Sequence, residues 1–251
     1  LNNIYGVDID QNAINHTIIR MHELVGDIDL SSNIKCGNSL IGTDYFSNML
    51  FYDDALWNEI KPFDWTKEFP KVFQNGGFDI VIGNPPYGIK FNKIEKEYFI
   101  KKYLSTRTIL NKQKGSFDSF SLFIELGFKL LKKDGMLIFI VPISITSSES
   151  MTALHNILEQ NCKLIKISSH ETSQQQIFNN AVVNTSIIFF NKTMTPSEQI
   201  LSTKIYKKNQ YDDLSVLFNN LHFIDVKDYK LFGRYPKISE NIEINILSKL
   251  F

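Results

Sequence analysis

Phe78 to Gly83 (FDIVIG) form a nearly unbroken apolar run that leads straight into Asn84-Pro85-Pro86-Tyr87-Gly88. A run of this kind reads as a strand buried on both faces, as in a parallel sheet packed between helices. The Asn84–Gly88 segment can continue neither strand nor helix, because each proline fixes φ and lacks an N–H. The chain therefore leaves its sheet abruptly at Asn84, with polar groups at the carboxyl end of a strand. In an open α/β sheet, that end is where ligands bind.

The turn has a definite chemical use. An exocyclic amine on an adenine is a poor nucleophile, because its lone pair is delocalised into the ring. Two acceptors aimed at its hydrogens draw it toward tetrahedral geometry. The side-chain oxygen of Asn84 can be one acceptor and the Pro85 carbonyl the other, both held beforehand by the stiff prolines. Tyr87 adds an aromatic face, worth ~1–3 kcal/mol of stacking on a base. Gly88 lets the chain turn away. The competing reading is an ordinary proline turn after a strand.

The flanking sequence supplies the rest of an α/β pattern. Ile4 to Ile9 reads as a short buried strand ending in acids. Ala13 to Val25 comes next with helical spacing, with Asp10 and Asn12 as candidate N-caps. Ile34 to Gly37 is a short strand that leads into Asn38. Residues 42–77 are aromatic-rich, irregular and helical in part. Phe117 to Lys133 is an amphipathic helix expected to end at Lys133-Asp134-Gly135. Met136 to Val141 is a strand, Glu149 to Gln160 a helix, and Leu164 to Ser168 a strand. Ala181 to Phe190 is a longer strand, and Thr203 to Tyr206 a further one. The expected fold is a doubly wound, mostly parallel sheet with a terminal antiparallel strand. A carboxylate at a strand end holds ribose hydroxyls well, so Asp8 is a ribose candidate and Asp10 the helix cap; capping alone would also account for either acid.

Composition sets the bounds. The chain has 251 residues, 43% hydrophobic and 13% aromatic, which excludes disorder. Lys plus Arg and Asp plus Glu are 27 each, so the chain is no wholly basic nucleic-acid coat. The basic charge is instead local: Lys90 to Lys114 holds Lys90, Lys93, Lys96, Lys101, Lys102, Arg107, Lys112 and Lys114 against Glu95 and Glu97. This is either a solvated loop or a flap for DNA phosphates beside the catalytic turn. The two cysteines form no C-x-x-C pair, the five histidines show no metal-ligand spacing, and no phosphate-binding Gly-x4-Gly-Lys loop appears. With no run long enough to span a membrane and no signal-peptide pattern, the chain reads as a cytoplasmic domain.

The motif FDIVIGNPPYG, with the longer run Trp65 to Gly88, resembles the N6-adenine DNA methyltransferases of the γ motif order, closest to the Eco57I-like type IIG restriction-modification family. Motif order agrees. Tyr5 to Asp10 resembles motif II, Cys36 to Leu40 motif III, Asp118 to Ile124 motif V, Gly135 to Pro142 motif VI and Gln176 to Phe190 motif VIII. The resemblance covers about residues 4–192. It implies a Rossmann-like methyltransferase that uses S-adenosyl-L-methionine and acts on an adenine flipped out of double-stranded DNA in a prokaryotic cytoplasm. A nuclease region or subunit of the same system is an implied partner. Carried over by position, Asp8 would bind the cofactor ribose. Asn38 would sit by the cofactor adenine, where many relatives have aspartate. Phe123 would pack on that adenine, or equally serve as a core residue. Asn84, Pro85 and Tyr87 would hold the target adenine. Phe178 would pack on its other side, or act as a hydrophobic plug.

Two other readings stand beside this one. Protein glutamine methyltransferases also carry an Asn-Pro-Pro-Tyr turn; the aromatic Trp65–Phe73 stretch, the basic loop and the motif VIII-like strand favour DNA. The second is an inactive fragment. The chain starts at Leu1 with its first strand already under way, and no Gly-rich motif I loop precedes Asp8. The expectation is a catalytic domain over residues 1–195 lacking its first strand, then a linker and the start of a target-recognition region over 196–251. Such a chain alone is expected to bind cofactor weakly and to be inactive.

Overall fold

The computed structural model describes residues 3–26, 29–47, 49, 51–171, 183–207, 214–230 and 233–249. The chain forms two compact units, Leu1–Gly76 and Gly77–Phe251.

The first unit is built around one β-α-β step. Strand β1 (Gly6–Asp8) leads into helix α1 (Gln11–Val25), which returns to strand β2 (Ile34–Cys36). The two strands are parallel, with Asp8 opposite Cys36. Helix α1 starts where the sequence places it, because the Asp10 carboxylate accepts the Asn12 N–H at 2.9 Å. Its apolar stripe puts Ile14, Ile18 and Met21 with Leu30, Ile34 and Cys36 in a small core. The remainder, through helices α2 (Asp54–Ile60), α3 (Trp65–Glu68) and α4 (Pro70–Gln74), is organised by rings. Phe63, Trp65 and Phe69 meet at centroid distances of 5.3–5.8 Å, and Phe46 stacks on Trp57 at 5.1 Å.

The second unit is a six-stranded sheet of order β3-β4-β6-β5-β7-β8. Its strands are β3 (Phe78–Gly83), β4 (Leu131–Pro142), β5 (Cys162–His170), β6 (Thr185–Lys192), β7 (Gln199–Tyr206) and β8 (Ile224–Asp225). Between them lie helices α5 (Lys93–Lys102), α6 (Ser119–Leu130), α7 (Ser144–Ser147) and α8 (Thr152–Asn161), with α9 (Leu214–Asn219) and α10 (Asn241–Leu247) later in the chain. Leu122 and Ile124 of α6, Leu137 and Val141 of β4, Leu154 of α8, Ile167 of β5 and Phe190 of β6 are all fully buried. None of the helices is long and apolar enough to cross a membrane among the described residues.

Three expectations are corrected. The sheet is mixed: β3–β4 and β5–β7 are parallel, whereas β6 runs antiparallel to both β4 and β5. The antiparallel strand expected over Ala181 to Phe190 is thus β6, inserted in the sheet, and a second one, β8, runs antiparallel to β7 at the far edge. Ile188 and Phe190 of β6 are buried and its ladders to both neighbours span the strand, which only an interior position allows. Secondly, β3 is an edge strand of this sheet rather than one buried on both faces, and Ile80 and Ile82 are exposed. Thirdly, α6 stops at Leu130. Leu131 is extended, buried and paired with Phe78, and the turn with Asp134 at φ +64° falls inside the irregular start of β4.

Residues on both sides of 195 belong to the second unit. Strand β7 joins the sheet beside β5, and Val226, Tyr235 and Ile238 enter the main core. The return is stapled to α8. The Tyr235 hydroxyl donates to Glu159 at 2.7 Å, Lys230 pairs with the same carboxylate, and the Tyr235 ring stacks on His155 at 4.4 Å.

Candidate active site

Each unit presents one group of the residues singled out in the sequence. In the first unit, parallel pairing brings the ends of β1 and β2 together, and the Gly37 N–H donates to the Asp8 carbonyl at 2.8 Å. Asp8 is exposed. One of its carboxylate oxygens accepts the Asp10 N–H at 2.8 Å, which fixes the side chain and leaves the second oxygen open. Asn38 is half-buried, and its side-chain oxygen accepts the Leu40 N–H at 3.1 Å. That Asx turn uses the acceptor and leaves the amide N–H groups as Asn38's offering. Lys61 ties the two ends: its ammonium donates to the Ile9 carbonyl at 2.9 Å, and its carbonyl accepts the Asn38 N–H at 2.6 Å. The left-handed φ of +49° at Lys61, the C-cap of α2, makes this double contact. Sequence reading missed Lys61, since nothing local marks it. A free carboxylate oxygen beside an amide donor fits the hydroxyls and base of a nucleoside, so the residues present suit the nucleoside half of S-adenosyl-L-methionine.

In the second unit the Asn84–Tyr87 turn leaves the end of β3, and hydrogen bonds and packing fix it. Asn84 is exposed and Pro85 is buried. The Pro86 carbonyl accepts the Ser119 hydroxyl at 2.5 Å, from the first turn of α6. No hydrogen bond reaches the Pro85 carbonyl among the described residues, so that oxygen stays available. Tyr87 is half-buried, and its ring packs against the main core together with Val81 and Phe123. Its hydroxyl lies 2.5 Å from Asn84 Oδ1 and 3.0 Å from the Ile140 carbonyl. Burial raises the Tyr87 phenol above its ordinary value of 10. Gly88 has φ +70° and lets the chain turn off the sheet.

Helix α6 can stand this close to the sheet because it carries Gly127. A Cβ there would lie 2.4 Å from Leu137 Cδ1 and 3.5 Å from Val81 Cγ1. The helix thereby brings Ser119 and Phe123 to the strand end. Ser119 was the second residue missed; its place at a helix start, straight after Asp118, was the signal available. Phe178 lies outside the described residues.

The Eco57I restriction-modification methylase family model matches residues 2–178. The chain is 30% identical over 227 residues to the type II restriction enzyme and methyltransferase RM.Eco57I of Escherichia coli, covering 82% of this chain and 20% of that protein. It is also 30% identical over 188 residues to a putative type II restriction enzyme and methyltransferase of Methanocaldococcus jannaschii, covering 72% of this chain and 15% of that one. The chain thus spans a fifth or less of the length of these relatives. Two solved structures share the fold at 14% identity, each over 92% of this chain. One is a nuclease-deletion mutant of the Type ISP restriction-modification enzyme LlaGI with a DNA substrate mimic (TM-score 0.61, 21% of that chain). The other is the ATP-dependent Type ISP enzyme LlaBIII bound to DNA (TM-score 0.59, 17% of that chain). With more than half of its residues matched by the family model, the chain belongs to the Eco57I restriction-modification methylase family.

Proposed function

We propose that this chain is the catalytic part of an S-adenosyl-L-methionine-dependent DNA methyltransferase that modifies N6 of adenine in a restriction-modification system. The observation that carries the reading is the clamped turn at the end of β3. Its Pro85 carbonyl is unengaged, its Asn84 amide is exposed, and Ser119 and two prolines hold the backbone between them. A backbone acceptor fixed in advance costs no reorganisation when charge develops on the amine, which is the main source of such electrostatic catalysis. Asn84 Oδ1 and the Pro85 carbonyl take the two amine hydrogens and aim the nitrogen lone pair. The amine becomes acidic once methylated, so no strong general base is required.

The bound cofactor supplies the electrophilic methyl group. Asp8 holds its ribose through the open carboxylate oxygen, and Asn38 offers amide donors to its adenine. Phe123, half-buried against the core of the second unit, is the residue the family resemblance assigns to packing on that adenine. The target adenine must be flipped out of duplex DNA, since its amine is otherwise paired and enclosed. Tyr87 stacks on one face of it and Phe178 packs on the other. The eight basic residues between Lys90 and Lys114 are all exposed. Arg107 is turned inward onto the Ile100 and Lys101 carbonyls, and Lys114 pairs with Glu149. Lys90, Lys101 and Lys112 are the better phosphate contacts, and their binding weakens steeply with salt. Residues 1–195 form the catalytic region in this reading. Residues 196–251 lead into target recognition from strands already inside the catalytic sheet. A nuclease region or subunit completes the system, in a prokaryotic cytoplasm.

The test uses the full-length gene product with labelled cofactor and two substrates, adenine-containing duplex DNA and a peptide-release factor. Label is expected on adenine N6 of the duplex. Asn84→Ala is expected to lower transfer by at least ~100-fold while keeping cofactor affinity. Undiminished methylation by that variant, or label on release-factor glutamine alone, overturns the proposal.

A further inference from the structure

The Tyr87 hydroxyl is in contact with two oxygens, Asn84 Oδ1 at 2.5 Å and the Ile140 carbonyl at 3.0 Å. A phenol has one proton to donate, so it cannot serve both acceptors. As placed, the shorter contact takes the proton. Asn84 then loses to its own neighbour part of the acceptor capacity that a substrate amine would use, and the Ile140 carbonyl receives nothing from the phenol.

Turning the Asn84 amide about its terminal torsion resolves the conflict. That torsion is broad and roughly two-fold, so both orientations are accessible. In the turned state the Asn84 amide N–H donates to the Tyr87 oxygen, and the Tyr87 O–H donates its hydrogen bond to the Ile140 carbonyl. Each donor then has an acceptor, and Oδ1 faces away from Tyr87, open to a ligand. Ile140 is well placed for this role. It stands one residue beyond Gly83–Phe139, the last β3–β4 pair, so β3 has no further amide to offer it. Ile140 pairs with Ile187 of β6 on its other side, and on the β3 side the tyrosine hydroxyl takes the place of a further strand residue at its carbonyl.

We propose that the Tyr87 hydroxyl is a positioning group: by donating its hydrogen bond to the Ile140 carbonyl and accepting one from Asn84, it selects the Asn84 amide orientation that offers Oδ1 to the substrate amine. This rests on the adenine-N6 reading above and adds a role for Tyr87 distinct from stacking. The raised pKa of the buried phenol keeps the proton in place over the neutral range.

The experiment is Tyr87→Phe in the full-length gene product, which keeps the ring and removes the hydroxyl. Duplex affinity and the fluorescence of 2-aminopurine at the target position report stacking and flipping; single-turnover methylation reports the chemical step. The expected result is a roughly tenfold slower single turnover with both other readouts within about twofold of wild type. An unchanged rate overturns the proposal, as does a parallel loss of affinity and fluorescence, which would mark a platform or folding role. The same substitution is then made in an Asn84→Asp background. A carboxylate presents oxygen either way round and needs no orienting, so the penalty there should shrink below about threefold; an equal penalty in both backgrounds also overturns the proposal. If Asn84→Asp is itself inactive, the first set of readouts decides alone. Failure of the functional reading looks different: in that case the wild type places no label on adenine, or Asn84→Ala stays active.

Discussion

In residues 1–76 the sheet consists of two strands of three residues each, and much of the buried volume comes from rings such as Phe46, Phe63 and Phe69. In residues 77–251 six strands share one sheet, β4 alone runs for twelve residues, and aliphatic side chains dominate the core. The two units also hold their site residues differently. Asp8 and Asn38 are set by local turns and one lysine, each side chain bonding two residues ahead. The Asn84–Tyr87 turn is set by long-range contacts, from Ser119 and from the backbone of β4. A locally built site depends on caps and turns, whereas a site hung on a sheet depends on the whole core behind it.

This contrast can be broken experimentally. The largest expected effect is that of Leu137→Ala, at a fully buried position of β4. It should cost about 2–5 kcal/mol, from lost burial plus the cavity left behind. Amide exchange should accelerate across β3 to β7 while α1 keeps its protection; equal acceleration in α1 would erase the distinction. Acidification comes next. His155 and His170 are both buried in the larger unit, which lowers each from an ordinary 6.5 to about 4. The unfolded chain therefore takes up these protons first. The associated stability is complete above about pH 6.5 and is lost as pH falls toward 4, at roughly 1.4 kcal/mol per pH unit for each histidine. Thermal unfolding followed from pH 7 to 5 should show the slope, and His155→Gln should halve it; a flat profile refutes this assignment. The smallest effect is expected from Asp10→Ala, which removes the cap of α1 at a cost of about 1 kcal/mol. Its signature is faster exchange confined to the start of α1, with β4 untouched.

Legibility in the sequence followed the same division. The β1–α1–β2 step, the assignment of Asp10 rather than Asp8 to the helix cap, and the strand-to-turn break at Asn84 are all encoded within a few neighbouring residues, and each was readable. Strand order was not. The apolar pattern of Thr185 to Phe190 announces a strand, but its place between β4 and β5 depends on pairings with residues far along the chain. Likewise FDIVIG reads as doubly buried, yet Ile80 and Ile82, which share one face of β3, are exposed, while Val81 on the other face packs against the core. Ser119 and the Ile140 carbonyl escaped notice for a related reason: one is an ordinary serine whose single cue is its place at a helix start, and the other is a backbone atom with no sequence signature. Helix α6 ended early because pairing of Leu131 with Phe78 prevailed over its helical periodicity.

The bond from Ser119 to the Pro86 carbonyl has a consequence for how such a protein can change over generations. It fixes the far end of the excursion from Gly88 to Asp118, and Tyr87 fixes the near end. Within that excursion, Leu110 protrudes at 84% exposure on a tight turn closed by the Ile109–Gln113 bridge, with Asn111 at φ +59°. Lengthening a loop between fixed ends costs only ~0.6 kcal/mol per doubling. Insertions at Leu110 can therefore accumulate and alter what this arm touches without retuning the turn where the chemistry is proposed to occur. A lineage under pressure to diversify has here a cheap place to vary and, at the base of the same excursion, a fixed one to keep.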